Sequence, residues 1–487
     1  MAKNKRHPFK TFLIGFVSFA IVFVVAFFGI QFFTKTGIFK IPGVVYYGEG
    51  LNNDELSILH GIFDDEELVL DKDVAIDART VEERPLLEPG EYLYSIEVPT
   101  NSFYENRDDV SEYTETEIEW IPLEQLDFTR KLLSKDGYYF LDDFDHGAKF
   151  RIISFDSEKF DEEIQPLVEN SFAKDYPSKD TVLTFAQTGV TAMSRGMNAR
   201  LKAIGGDAIY FAENIKDYLS SFDLTHTSNE SSFTDYASSA NICSDKRFID
   251  TLTAIGLDIV ELTGNHNQDC GDEAARESID TYNEKGIKIV GGGKTAEEAK
   301  KPLNINDKNS KVTFLAYNLS TGGATYDATP GANQYYEEDA VTNINKAKEN
   351  GDLVIVDIQY YECSGYASEY EDRTCDYANS SAGDQVGFFR HLIDLGADIV
   401  VGTSAHQPQT YELYGDGVIF YGLGNLFFDQ FWWPGTTRSL VLSHYIYGNK
   451  LLQTKVVPTV YDSTMQTRLM DKEKKEWFIE RLMSVRP

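Results

Sequence analysis

The chain has 487 residues, with 78 acidic against 45 basic residues and a formal net charge of −33. Such a surface repels nucleic acid and anionic lipid, which are therefore poor candidate partners, whereas it attracts cations and basic partners. A composition that is 42% hydrophobic and 13% aromatic excludes a disordered protein and suffices for two or three folded domains.

The first predicted element is a membrane-spanning helix over residues 12–33. This run carries no charge, and at ~1.5 Å per residue it reaches about 33 Å, enough for a bilayer core of about 30 Å. The basic residues that precede it favour a cytoplasmic N-terminus. A cleaved signal peptide is the alternative, but the run is long for one and no small-residue cleavage pattern follows. We expect residues 1–40 to be a cytoplasmic tail and single-pass anchor in the cell membrane, with the bulk of the chain extracytoplasmic.

Residues 41–178 are predicted to form a smaller α+β domain. Apolar and aromatic stretches at 90–96 and 149–155 are typical of strands, and acidic loops separate such stretches. The polar segment 173–180 contains Pro177 and is typical of a linker, so we expect a domain boundary there. No motif indicates what this domain does.

Residues 179–487 are predicted to form an α/β layered domain with a substantially parallel sheet. Apolar strand-like runs alternate with helix-like runs such as 271–285 and 384–395, and this alternation is typical of that class. A charged amphipathic helix that packs as a lid is expected over 471–481. The predicted strands are residues 182–185, 259–262, 287–290, 312–316, 353–358, 399–401 and 418–421.

Polar segments follow several of these strands, and ligands bind where strands of such sheets end. Each segment alone is a weak signal, because a single histidine is more often structural and an Asn-His pair is usually turn chemistry. Five such segments in order indicate one site. They are residues 228–230, 263–271, 359–362, 402–409 and 424–425.

On these segments the sequence resembles the CapA-type capsule and poly-γ-glutamate synthesis proteins, whose domain has the calcineurin-like metallophosphoesterase fold. The resemblance covers roughly residues 181–430 and is most specific at 262–271, 396–406 and 420–428. It implies a layered metallophosphoesterase-type domain and a role with an anionic capsule or cell-surface polymer.

The resemblance also implies roles for single residues. In the metallophosphoesterase pattern, two metal ions share a bridging carboxylate and activate water. Glu230 takes the bridging position, Asn265, Gln359 and His406 take other ligand positions, and His266 takes the acid–base position. The other candidate catalytic residues are Asp269 and Arg195, and the candidate substrate-binding residues are Asn229, Asn425, Tyr360 and Glu362.

Three positions depart from the family pattern. Val190 stands where the first strand ends in Asp, Gln359 replaces a His, and Ser404 replaces the first His of a His-x-His. Amide and hydroxyl oxygens are poor ligands for zinc-like ions, whereas harder ions tolerate them. We expect one divalent ion, with Mg²⁺, Mn²⁺ or Ca²⁺ favoured over a zinc pair, and a site without metal stays open.

Structural interpretations stand beside these functional ones. Arg195 either holds an anionic substrate or forms a surface ion pair. Tyr360 and Glu362 either line the cleft or belong to a packed aromatic cluster. Trp432 and Trp433 either stack on sugar rings or cover the sheet edge.

The four cysteines are Cys243, Cys270, Cys363 and Cys375, and in an oxidising compartment they allow three connectivities. Cys363 and Cys375 flank a loop-like stretch, which favours a disulfide between them. Their spacings are not those of a zinc knuckle.

Three functions compete. The first is a CapA-like protein that assists synthesis, export or anchoring of an anionic surface polymer, with that polymer or its synthesis machinery as partner. The second is a metal-dependent hydrolase, or an amide-bond-forming enzyme, on a phosphoester or envelope polymer. The third is a non-catalytic binding or scaffold module. The departures from the pattern favour the first or the third, with polyanion contact confined to a cleft around Arg195, Asn265 and His406 or bridged by a cation.

Overall fold

A computed structural model provides the fold. It describes residues 38–41, 44–49, 74–81, 91–100, 103–155, 177–319, 322–360 and 384–487, with single positions 53 and 57. The predicted anchor at 12–33, Glu362, Cys363 and Cys375 lie outside the described residues. Within the described part, no helix combines the length and the apolar character needed to cross a bilayer.

The chain divides into two compact units. The N-terminal unit comprises residues 1–97, 120–124 and 145–176, and the C-terminal unit comprises 98–119, 125–144 and 177–487.

The N-terminal unit is built on one mixed sheet with the strand order β1-β2-β3-β6-β4-β5. Burial alternates along β6: Ala148 and Phe150 are buried, while the amine of Lys149 lies over the Trp120 ring at 3.9 Å. The strands predicted at 90–96 and 149–155 are confirmed as β4 and β6. The bounds are β1 (Ile38–Ile41), β2 (Val44–Glu49), β3 (Val74–Val81), β4 (Glu91–Pro99), β5 (Ile118–Ile121) and β6 (Ala148–Phe155).

The helices described outside that sheet are mostly short. The predicted helices at 271–285, 384–395 and 471–481 are confirmed as α5, α8 and α9. The bounds are α1 (Phe140–Asp143), α2 (Gly196–Ala203), α3 (Lys216–Leu219), α4 (Ile249–Ala254), α5 (Gly271–Glu284), α6 (Ala296–Ala299), α7 (Glu337–Glu349), α8 (Gln385–Asp394) and α9 (Lys472–Ser484).

Most strands of the C-terminal unit form two large sheets, and all seven predicted strands lie in these two sheets. Their bounds are β7 (Leu183–Thr191), β8 (Leu224–Asn229), β9 (Phe233–Thr234), β10 (Ser244–Asp245), β11 (Ile259–Glu261), β12 (Lys288–Val290), β13 (Gly292–Gly293), β14 (Leu303–Asp307), β15 (Ser310–Asn318), β16 (Gly331–Ala332), β17 (Leu353–Gln359), β18 (Ile399–Thr403), β19 (Tyr411–Tyr414), β20 (Gly417–Phe420), β21 (Asn425–Phe427), β22 (Arg438–Tyr447), β23 (Lys450–Val460) and β24 (Arg468–Leu469).

The first large sheet has the order β12-β11-β8-β7-β22-β23-β24, with β21 also paired to β7. Strands β12, β11, β8 and β7 are parallel, while β22 to β24 extend the sheet antiparallel. The second sheet has the order β14-β15-β17-β18-β20-β19, with a parallel centre and antiparallel edges. Two-stranded pairs β9–β10 and β13–β16 complete the unit.

The two large sheets pack face to face, and helices cover their outer faces. Successive residues of a strand point to opposite faces of its sheet. Phe314 lies in the apolar core between the two sheets, whereas Leu315 packs with helices α7 and α8 on the outer face. Val260 and Val441 face the layer that contains α2, α4 and α5. The unit is therefore a four-layered α/β structure, which confirms the layered α/β prediction.

The ends of the strands bring distant segments together. Gln359 at the end of β17 pairs with Asn318 of β15 on one side and with Thr403 of β18 on the other. In the first sheet, Asn229 of β8 pairs with Thr191 of β7. Because carboxyl ends of parallel strands share one edge of a sheet, the polar strand-end segments meet there.

Candidate functional site

The site is centred on Glu230, which follows β8 and whose side chain is fully buried. Its backbone N–H donates to the Thr191 carbonyl at 2.9 Å, which fixes it against the end of β7. Its Oε1 accepts a hydrogen bond from Nε2 of Gln359 at 3.2 Å, and its Oε2 lies 3.7 Å from Nε2 of His406. Two of the predicted ligand positions thus flank this carboxylate.

The amide of Gln359 joins two strand ends. Its Nε2 donates to Glu230 and also lies 3.2 Å from Oδ1 of Asn265. Its Oε1 accepts from the Thr403 hydroxyl at 3.1 Å. Since an amide N–H donates and a carboxyl oxygen accepts, the nitrogen of the amide is the end that faces Glu230. We call Glu230, Asn265, Gln359 and His406 the strand-end cluster.

Glycine at position 264 permits the backbone just before Asn265 to approach Glu230 closely. A Cβ added at Gly264 would lie 2.6 Å from Cα and 2.8 Å from Cγ of Glu230, closer than side chains tolerate. Ser404 and His406 adopt left-handed φ angles of 71° and 56°. Such conformations cost about 1 kcal/mol or more each and concentrate at functional sites.

Asn425 orients His406. The Nδ2 of Asn425 donates to the Thr436 carbonyl at 3.1 Å and to Oε1 of Gln430 at 3.2 Å. Its Oδ1 therefore faces Nδ1 of His406, 2.8 Å away, so that Nδ1 carries the proton. The remaining ring nitrogen, Nε2, is the one directed at Glu230. Asn425, predicted to bind substrate, holds a member of the cluster in place.

His266 and Asp269 form a more open pair. Nδ1 of His266 lies 2.7 Å from Oδ2 of Asp269, and the two side chains are 25% and 41% exposed. Both belong to the turn between β11 and α5 that also carries Asn265. A carboxylate that orients a solvent-accessible imidazole is an arrangement suited to proton transfer.

The guanidinium of Arg195 is paired within the protein. Its Nη2 donates to Oδ1 of Asp429 at 2.6 Å, and the N–H of Gly196 donates to the other carboxylate oxygen at 2.8 Å. The Phe428 ring lies 4.9 Å from the guanidinium carbon. Asp429 is almost fully buried, so this pair joins α2 to the loop after β21, unlike the surface ion pair expected as the alternative.

Asn229 and Tyr360 lie in packed surroundings. Asn229 accepts from the Thr191 hydroxyl at 3.1 Å and donates to the Ser231 carbonyl at 2.8 Å. Tyr360 is buried, with its ring centroid 6.2 Å from Phe388 and 5.5 Å from Phe389. The structure places this tyrosine in an aromatic cluster.

Three consecutive aromatic residues in the loop after β21 are exposed. Phe431, Trp432 and Trp433 are 38%, 51% and 39% exposed, and the two tryptophan rings lie 5.7 Å apart. The loop is anchored by Gln430, which binds Asn425. Stacking on sugar rings stays a prediction.

A disulfide joins Cys243 to Cys270, with the Cα atoms 5.9 Å apart. Cys270 directly precedes α5, so the bond fixes the turn that carries Asn265 and His266. The predicted bond between Cys363 and Cys375 lies outside the described residues and stays a prediction.

A buried polar layer beneath the cluster was missed by the sequence analysis. Asp357 lies 3.3 Å from Nε2 of His226 and accepts from Nε2 of Gln187 at 2.5 Å. Burial and the neighbouring Asp357 carboxylate raise the pKa of Glu261 to about 8, against the hydrogen bond from the Thr263 amide, which lowers it. The available signal was a single acidic residue inside each apolar run, in Val-Asp-Ile of β17 and in Val-Glu-Leu at residues 260–262.

Other contributors were also missed. Thr403 orients the Gln359 amide, Gln430 and Thr436 orient Asn425, and Asp429 holds Arg195. Thr403 could have been found from its position inside the predicted strand-end segment 402–409, and Gln430 from its position at the end of the family resemblance over 181–430.

Fold and site define a class: a layered α/β domain with carboxylate, amide and imidazole groups gathered at its strand ends. The sequence profile of the family described as "Bacterial capsule synthesis protein PGA_cap" matches residues 184–430, just over half of the chain. The chain belongs to this family.

Named relatives are similar at low identity. The "Capsule biosynthesis protein CapA" of Bacillus anthracis is 24% identical over 57% of this chain and 67% of its own length. The "PGA biosynthesis protein CapA" of Bacillus subtilis is 25% identical over 62% of this chain and 78% of its own length. The solved NAD nucleotidase of Haemophilus influenzae is 11% identical over 62% of this chain and 56% of that one, with a TM-score of 0.30, too low to support an argument.

Proposed function

We propose that this protein is a membrane-anchored, extracytoplasmic member of the capsule synthesis family that assists the synthesis, export or anchoring of an anionic cell-surface polymer. The observation that carries the proposal is the position of the family match. Residues 184–430 include every described member of the strand-end cluster and both residues of the His266–Asp269 pair.

Three features support the location and the partner. The apolar run at 12–33 is long enough for an anchor. The Cys243–Cys270 disulfide suits an oxidising compartment. The acidic surface disfavours nucleic acid and would restrict polyanion contact to the strand ends. We also propose that the four layers are a divergent calcineurin-like metallophosphoesterase fold with a degenerate site.

The test is deletion of the gene in its host, followed by measurement of surface polyanion by electrophoresis with a cationic dye. The proposal predicts a loss of polymer that the full chain restores and that a chain without residues 1–40 does not. Unchanged polymer in the deletion strain would refute the function. Full restoration by the shortened chain would refute the role of the anchor.

A hydrolase is a second candidate, and the His266–Asp269 pair is the observation that favours it. An oriented, partly exposed imidazole can protonate a leaving group. In that case His266→Ala should change the length of the surface polymer, whereas a binding module should tolerate it. Electrophoretic size distribution of polymer from complemented strains separates the two.

A further inference from the structure

The strand-end cluster fits a hydrogen-bonded network better than a metal pair. The family resemblance implies two cations about one carboxylate, and each position needs several imidazole or carboxylate ligands. Among the described residues, no group of three or more His, Cys, Asp and Glu side chains is placed to hold a metal ion. Val190, where the first metal would require Asp, is buried against Ala192 and Phe428.

A side-chain amide lies between the two oxygens that the family pattern assigns to the second cation. Nε2 of Gln359 lies 3.2 Å from Oε1 of Glu230 and 3.2 Å from Oδ1 of Asn265, the two oxygens that would ligate the second ion. The two N–H bonds of an amide nitrogen can serve two acceptors at once. The amide is also held in this orientation, because its oxygen accepts from Thr403. A metal would have to displace both hydrogen bonds and would gain only one weak amide oxygen in return.

We propose that the amide group of Gln359 takes the place of the second cation, so that Glu230 and Asn265 are joined by hydrogen bonds and the strand-end cluster works without a metal. The inference goes beyond the polymer function. It stands or falls separately, because metal binding is measured on the purified chain and polymer is measured in cells.

The first experiment compares the full-length chain with its Glu230→Gln variant by equilibrium dialysis against Mn²⁺ or Zn²⁺, followed by elemental analysis. The acidic surface will bind cations weakly in both proteins, so the difference between them reports on the cluster. We expect the same number of bound ions per chain. One additional ion in the unsubstituted chain would overturn the proposal. Should Glu230→Gln fail to fold, the partly exposed Asn265→Ala gives the same comparison.

The second experiment restores the missing ligands. Ser404 already has a φ of 71°, which histidine tolerates better than most residues, so Gln359→His/Ser404→His can supply two imidazoles. We expect this variant to bind one more ion per chain than the unsubstituted chain, because imidazoles are better ligands than an amide or a hydroxyl. Adding Glu230→Gln should abolish the gain. A folded double variant that binds no more metal than this triple variant would show that Gln359 does not exclude the metal.

Discussion

The substitution Glu261→Gln tests the buried polar layer. Burial and Asp357 raise the pKa of Glu261 to about 8, against 4.5 for an unperturbed carboxyl. At pH 7 the folded protein therefore keeps this proton, whereas the unfolded chain has released it. Stability from this group is fully present below pH 4.5 and is lost as pH rises toward 8. At about 1.4 kcal/mol per pH unit, the loss at pH 7 is about 3 kcal/mol.

Glutamine removes this penalty while its amide oxygen can still accept from Thr263. We expect Glu261→Gln to be about 3 kcal/mol more stable than the unsubstituted protein at pH 7 and nearly equal to it at pH 4.5. Urea unfolding followed by tryptophan fluorescence from pH 4.5 to 8 measures both. The difference in unfolding free energy between the two proteins cancels the contributions of other titrating groups. One such group is His444, whose pKa is lowered by burial to about 3. A constant difference across this range, or a less stable variant at pH 8, would refute the reasoning.

Three further substitutions test other parts of the account. Gly264→Ala places a Cβ 2.6 Å from Glu230 and should cost about 1–3 kcal/mol in urea unfolding, with loss of surface polymer. Asp429→Ala leaves Arg195 unpaired and should cost about 2 kcal/mol, whereas loss of an exposed ion pair costs under about 1 kcal/mol. Cys270→Ser opens a bond between residues 27 apart in sequence and should cost about 3–4 kcal/mol, measured under oxidising conditions.

Each of these predictions has a control or a contradicting result. Glu476→Ala removes an exposed contact of 3.8 Å to Lys472 and should change stability by under about 0.5 kcal/mol. Equal costs for Asp429→Ala and Glu476→Ala would contradict the assigned role of the Arg195 pair. If Gly264→Ala changes neither stability nor surface polymer, the close approach of this turn to Glu230 is contradicted. A Cys270→Ser variant as stable as the parent would contradict the disulfide's contribution.

Apolar strands made the layered fold predictable. Runs such as Leu353–Gln359 are buried on both faces, because one face meets the opposite sheet and the other meets helices, so they appear as continuous apolar segments. Strand β8 was not predicted, because its sequence Leu-Thr-His-Thr-Ser-Asn is largely polar, although all six residues are buried. Thr227 bonds to the Gly189 carbonyl of β7, Asn229 accepts from Thr191, and His226 lies 3.3 Å from Asp357. A single sequence does not reveal these long-range partners.

The members of the site were easier to predict than their connections. The family resemblance identified Glu230, Asn265 and His406. The structure places His406 beside the Glu230 carboxylate and links Asn265 to it through Gln359. The donor role of the Gln359 amide depends on distances between two sheets and could not be read from spacing. The same holds for Arg195, whose partner Asp429 lies 234 positions away in sequence.

Complementation of the deletion strain with Asn265→Ala tests the central claim, that the strand-end cluster carries the polymer function, most directly. Asn265 is partly exposed and forms its described side-chain bond with Gln359, so the variant should reach the cell surface in normal amounts. The account predicts surface polymer near the level of the deletion strain, with Glu476→Ala restoring the normal level. Normal polymer with Asn265→Ala, at equal protein abundance, would contradict it.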